Sequence, residues 1–191
     1  MKIVLSFFIL LISVSAFAQH SQEVKNDSLI PWSQNYQLKW SDFKGKIPSE
    51  EIKGTSAAVT CSGWQSSLQY SDGVLEGEYV NVFDRLQSWT IDTTSSQLLN
   101  HEQLHFDISE VFCRKVRKGI IELIEKEAIT AESLQALIDS LSNEKDYNQG
   151  LFDKETAHGT YGLKQLEWRK KTDEELKILS PFADSFIKEQ D

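Results

Sequence analysis

The residues from Leu98 to Glu110, LLNHEQLHFDISE, make physical sense as a helix with a buried face. At 100° per residue, Leu98, His101, Leu104, His105, Ile108, Val111, Phe112 and Val116 fall in one broad stripe. Asp107, Glu110, Arg114 and Arg117 fall opposite, with Glu110 and Arg114 a favourable pair four apart. Two imidazoles on a core-facing stripe lose hydration and need partners. His101 and His105 stack one turn apart, so both can grip a single ion, and neutral imidazole is a good nitrogen ligand for Zn²⁺. Glu102, beside them, can act as general base toward water acidified by the metal. H-E-x-x-H is the spacing of a zinc-metalloprotease helix. The plain alternative, a surface helix with two solvated histidines, fits the stripe poorly. The helix is expected over about Ser96–Lys118, with N-caps offered within Asp92–Ser96.

A catalytic zinc site needs three protein ligands and a position for water. Of the remaining histidines, His20 sits in a polar start, Gln19–Asp27, expected to fray. His158 lies in Asp153–Gly162, a polar, glycine-bearing stretch expected as a loop before the last helix, and is the first candidate. Asp153 and Glu155 are rival oxygen donors, and Asp153 can instead orient a ligand imidazole. Tyr147 and Tyr161 are candidate donors to an oxyanion. The plain reading of the same stretch is a turn ordered by Asp and Thr side chains.

Working outward, Ala57–Ser62, Trp64–Tyr70 and Val74–Phe83 read as strands, with Ser71-Asp72-Gly73 as a hairpin turn. In the third, Val80 and Val82 share one face and Tyr79, Asn81 and Phe83 the other. Leu38–Gly45 (LKWSDFKG) is a strand or turn that buries aromatics. After the motif, Gly119 is expected to kink or end the helix, with Ile120–Ile124 as an extension. Thr130 caps a helix to about Leu141, Asn143–Gly150 is a polar connection, and a last helix runs from near Leu163 to before Pro181. These elements predict an α+β fold: a small antiparallel or mixed sheet against a long motif helix, then further helices.

The chain has 191 residues, the size of a single domain. Residues 1–18, with Lys2, an apolar run from Ile3 to Ile12 interrupted only by Ser6, and Ala16-Phe17-Ala18, read as a secretory signal peptide. The domain then covers 19–191, and the protein is expected to be exported to a periplasm or outside the cell, with no transmembrane segment in the mature chain. The net charge of −9 argues against nucleic acid. The basic cluster Arg114-Lys115 and Arg117-Lys118 suits a solvated helix end. Cys61 and Cys113 permit one disulfide in an oxidising compartment; two buried free thiols are the alternative.

LKWSDFKG, Ala57–Gly63 (AAVTCSG), Ser88-Trp89, LLNHEQLHFDISE, Asp153–Gly159 (DKETAHG), Gln165 and Trp168 together resemble the DUF922 family of secreted bacterial proteins, predicted to be zinc-dependent proteases. The resemblance runs from about Leu38 to Trp168. It implies a zincin-like domain with His101 and His105 as zinc ligands, Glu102 as the catalytic carboxylate and His158 in the site. It also implies a bacterial cell envelope or the outside of the cell. By resemblance to zincins, an edge strand near Val74–Phe83 would align an extended protein or peptide substrate. The chain departs from the metzincin pattern, having Ile108 and Val111 where glycine and histidine would stand. A thermolysin-like scheme would draw a glutamate ligand from Glu122, Glu125, Glu127 or Glu132. Cell-wall peptide is another substrate that such chemistry would suit, and a non-enzymatic domain with a structural metal is the remaining reading.

Overall fold

The computed structural model describes residues 28–50, 56–71 and 74–188. The stretch read as a signal peptide, Gln19–Asp27 with His20, and the expected hairpin residues Asp72 and Gly73 lie outside them. The architecture is α+β. Seven strands, Leu29–Pro31 (β1), Ala58–Val59 (β2), Ser62–Ser66 (β3), Gln69–Ser71 (β4), Val74–Asp84 (β5), Trp89–Thr90 (β6) and Phe186–Lys188 (β7), accompany the helices Ser96–Glu125 (α1), Ala131–Thr156 (α2) and Gly162–Ile178 (α3) among the described residues.

β5 is the spine of the larger sheet, and every pairing is antiparallel. Phe83 pairs with both Ile30 and Ser62, and Glu76 with both Gln69 and Lys188, so both edges of β5 are taken at either end. The expected edge strand is therefore the central one. Its length and its two packed faces are what a central strand requires. The pair Ser71↔Val74 closes a hairpin. The expected single strand Trp64–Tyr70 is broken at Ser67–Leu68. Opposite the break Gly77 has φ +141°, and a Cβ there would stand 2.5 Å from the Ser67 carbonyl oxygen, a position only glycine fills. Ala58 and Val59 leave this sheet and pair with Thr90 and Trp89 of β6.

α1 is the core of the molecule. Its N-terminus is capped by Ser95, whose side chain accepts from the Leu98 amide. One face packs on the sheet through Cys113, Val116 and Ile120 against Leu75, Tyr79 and Ile187. Another packs through Leu104, Ile108 and Phe112 against Phe152 of α2 and Trp168 of α3. The helix passes straight through Gly119, where a Cβ would meet Leu137 Cδ1 at 2.7 Å. The glycine lets α2 approach closely rather than ending α1.

The face opposite the histidines is not solvated. Asp107, Glu110, Arg114 and Arg117 are all buried. Arg114 Nε and Arg117 Nη1 donate to Glu110 Oε1 at 2.9 and 3.1 Å. Arg117 Nε donates to the Tyr79 carbonyl and Arg114 Nη1 to the Leu176 carbonyl. Asp107 accepts from Trp32 Nε1 and from Arg169 Nη1. Arg114 and Arg117 are thus an internal brace, while Lys115 is half-buried and Lys118 is solvated as expected of a helix surface. The irregular segments around Trp32 and Phe182 wrap this face, and their buried backbone groups need partners. Long charged side chains from α1 supply them.

Candidate metal centre

His101 and His105 project from the second and third turns of α1 toward the C-terminal half of α2. That half is where the sequence reading and the structure part. Asn143–Gly150 is helical, and α2 continues to Thr156. The stripe Leu134, Leu137, Ile138, Leu141 extends through Lys145, Gln149, Phe152 and Thr156. Polar residues stand on it because they face the motif histidines and the cleft rather than apolar core. Read with those positions allowed to be polar, the helical period was there to be found. Asp153 therefore sits on a helix, not in a loop.

The three donor atoms converge. His101 Nε2 lies 3.1 Å from His105 Nε2 and 3.1 Å from Asp153 Oδ1, and His105 Nε2 lies 3.0 Å from the same oxygen. These residues form the group among the described residues with the composition and spacing to hold a metal ion. Ligands about 2.0–2.1 Å from a tetrahedral zinc stand roughly 3.3 Å apart, so the set is close to zinc-ready. Orientation supports the same conclusion. Gln149 Nε2 donates to the His105 carbonyl at 2.9 Å, which turns Gln149 Oε1 to accept from His105 Nδ1. With Nδ1 bonded to Gln149, the proton that His105 shares with Asp153 sits at Nε2, and loss of that proton would leave a lone pair there beside the carboxylate and the other imidazole, where a cation can take its place.

Packing holds the rings. Phe152 stacks on His101 at 4.4 Å between centroids and meets His105 edge-on at 4.8 Å. From the other side comes the turn after α2, where Ala157, His158 and Gly159 are successively left-handed, with φ of 48°, 52° and 82°. A Cβ on Gly159 would lie 3.0 Å from His101 Cγ. His101 is thereby clamped between Phe152 and a backbone.

The charges respond to this enclosure. Burial pushes His101 below the ordinary imidazole range despite its bond to Asp153. Burial acts the same way on His105, but the Asp153 hydrogen bond, the nearby Glu102 charge and Gln149 outweigh it and leave that ring raised. Burial would lift Asp153, yet its hydrogen bonds to the two histidines hold the carboxyl well below the usual range.

Glu102 is 3% exposed, and its Oε2 has no hydrogen-bond partner. It stands in the wall of a cleft of about 910 Å³ that also exposes the donor cluster. Ser56–Thr60 lines the cleft beside it, and Thr60 Oγ1 donates to the Glu102 carbonyl at 3.2 Å. Lys145, Gln149 and Asp153 run along one side.

Of the candidate third ligands, Asp153 is the one whose carboxylate joins the two imidazoles. His158 lies at the cleft rim, 65% exposed, with Nδ1 3.5 Å from Asp153 Oδ1, outside the three-donor group. Glu155, two residues past Asp153 and so on the other side of α2, accepts from Trp168 Nε1 at 2.8 Å. Tyr147 is two residues from both Lys145 and Gln149, and Tyr161 precedes α3. Both are exposed, and neither lines the cleft. Glu122 belongs to the far end of α1, where it pairs with Lys118 and Lys126. Cys61 and Cys113 are free thiols rather than a disulfide; Cys113 is buried and donates to the Tyr79 carbonyl. Gln149, Phe152 and Gly159 carry the geometry without having stood out in the sequence.

No helix among the described residues is long and apolar enough to cross a membrane. Compared with family models, with curated proteins and with solved structures, the chain matches none.

Proposed function

We propose that the chain is an exported zinc-dependent hydrolase of peptide bonds, zincin-like in arrangement, with His101, His105 and Asp153 as the zinc ligands and Glu102 as general base. The observation that carries this reading is the convergence of two imidazole nitrogens and one carboxylate oxygen beside a buried, unpaired glutamate oxygen on an open cleft. Zinc held there supplies Lewis acidity, polarising a carbonyl and acidifying water. Glu102 takes the proton of the attacking water on its carboxylate and later delivers one to the leaving nitrogen. Gln149 keeps His105 in the tautomer that presents Nε2. Phe152 and Gly159 hold His101 in place and exclude water from behind it.

The strand that aligns substrate in this reading is β2 rather than β5. Among the described residues β2 has a partner, β6, on one edge only, and it borders the cleft beside Glu102. An extended peptide can pair with its backbone whatever the side chains. The resemblance of the motif segments to secreted bacterial proteins supports the peptidase class and an envelope or extracellular location.

One observation favours a second reading. His158 Nδ1 lies 3.5 Å from Asp153 though outside the three-donor group, and a shift of the rim turn that brought it in as a fourth protein ligand would close the site, which is what a structural zinc site requires. The test is zinc content and peptide turnover of the wild type, Glu102→Gln and His158→Ala. The hydrolase reading expects Glu102→Gln to keep zinc and lose turnover at least a hundredfold, with His158→Ala keeping both. Zinc lost from His158→Ala, with no turnover in the wild type, would establish the structural site instead.

A further inference from the structure

The cleft carries a second feature, a fixed cation some way from the donor cluster. Lys145 is the one lysine or arginine among the described residues lining it, in a chain with an excess of nine acidic groups. Its side chain is 15% exposed, and its ammonium sits 4.9 Å over the Trp64 ring. Trp64 is itself held, donating from Nε1 to the Ser109 carbonyl at 3.2 Å. The nearest carboxylate, Asp146 Oδ1 at 3.3 Å, belongs to the adjoining residue and is 69% exposed, so water competes for it. Lys145 is thus a point charge held in place against an aromatic face, with donor capacity to spare on the cleft side.

Position gives it a meaning. Lys145, Gln149 and Asp153 recur every four residues on one face of α2. Eight residues of helix place the Lys145 backbone about 12 Å from that of Asp153, and both residues line the cleft. An extended chain advances about 3.3 Å per residue, so that distance is about three to four residues. We infer that Lys145 is a specificity-determining residue that selects peptides carrying a carboxylate about three to four residues from the bond that is cut. The inference rests on the hydrolase reading for the location of that bond. The carboxylate is either a free chain terminus or an Asp or Glu side chain; both present the same anion to the ammonium.

The test uses a random decapeptide library in four forms: free or amidated at the C-terminus, with Asp and Glu present or replaced by Asn and Gln. Cleavage sites are mapped by mass spectrometry for the zinc-loaded wild type, Lys145→Met and Lys145→Arg. Retention is measured on immobilised Glu102→Gln protein with and without Lys145→Met. The expected result is preferred cleavage and retention of peptides with a carboxylate about three to four residues from the cleaved bond. Lys145→Met should weaken both about tenfold for those peptides only, at equal zinc content, and Lys145→Arg should restore the preference. Preference confined to the free-terminus forms assigns the chain terminus, and preference confined to the Asp/Glu forms assigns the side chain. An unchanged preference in Lys145→Met, or no preference in the wild type, overturns the inference. Preferential retention without any cleavage leaves Lys145 reading the anion and removes the hydrolase. Cleavage without preference does the reverse.

Discussion

Gly159 shows how narrowly the donor set is held. Its φ of +82° and the 3.0 Å from a would-be Cβ to His101 Cγ leave no room for a side chain. Alanine there would add left-handed strain of about 1–2 kcal/mol and push the imidazole off Asp153. Gly159→Ala is expected to lower the thermal midpoint and weaken zinc binding at least tenfold; a competition titration against a zinc chelator measures the second effect. The pH dependence follows from the same three residues. His105 is raised in the folded state, so its contribution is full below the ordinary imidazole value and is lost as pH rises through the folded one. Asp153 is depressed, so its contribution is present above the ordinary carboxyl value and is lost as pH falls through the folded one. His101, lowered by burial, works against His105. Zinc needs both rings neutral and must displace the His105 proton. The rise in thermal midpoint on adding zinc is therefore expected to be larger at pH 8 than at pH 5.5, and scanning calorimetry at the two pH values checks this. Equal or reversed shifts would mean that these imidazoles are not the ligands.

α1 and α2 differ in how openly their sequences declare them. The H-E-x-x-H turn of α1 was legible because two ligands and a base lie within five residues, and helical spacing alone puts the ligands on one face. Asp153 was legible only as a rival to His158, because it belongs to an element whose contacting face is partly polar. Lys145, Gln149 and Asp153 interrupt the apolar period of α2 and look like a connection when read singly. His158 stood out as a histidine, yet the left-handed turn carries it to the rim. The reverse error was made on α1, where Glu110, Arg114 and Arg117 look like an exposed charged face. Their burial is set by chain segments far away in sequence, which no local pattern reports. At this scale Glu110→Ala is expected to destabilise by about 3–5 kcal/mol, since it strands two buried guanidinium groups. Phe152→Ala should cost a similar 3–5 kcal/mol and also loosen both imidazoles. Urea titration measures each, and a loss under about 1 kcal/mol in Glu110→Ala would show that the brace is solvated after all.

Across the whole molecule, one buried helix is surrounded by a sheet, two helices and two irregular segments, and the cleft opens where β2, the start of α1 and the end of α2 meet. The α+β class and the succession of the three helices after the main strands followed from period and turn signals, whereas the short strands β1, β6 and β7 gave no such signal. The central place of β5 did not follow from them, because strand order depends on pairings between residues as distant as Glu76 and Lys188. The donor cluster likewise joins α1 to α2 across 48 residues of sequence, so metal binding should stabilise the helical half as a unit. The most direct test is zinc stoichiometry by equilibrium dialysis on the wild type, His105→Ala, Asp153→Ala and His158→Ala. Convergence of His101, His105 and Asp153 on one ion predicts one zinc per chain in the wild type and in His158→Ala, and none in the other two. Zinc retained by Asp153→Ala but lost from His158→Ala, or no zinc in the wild type, would contradict it.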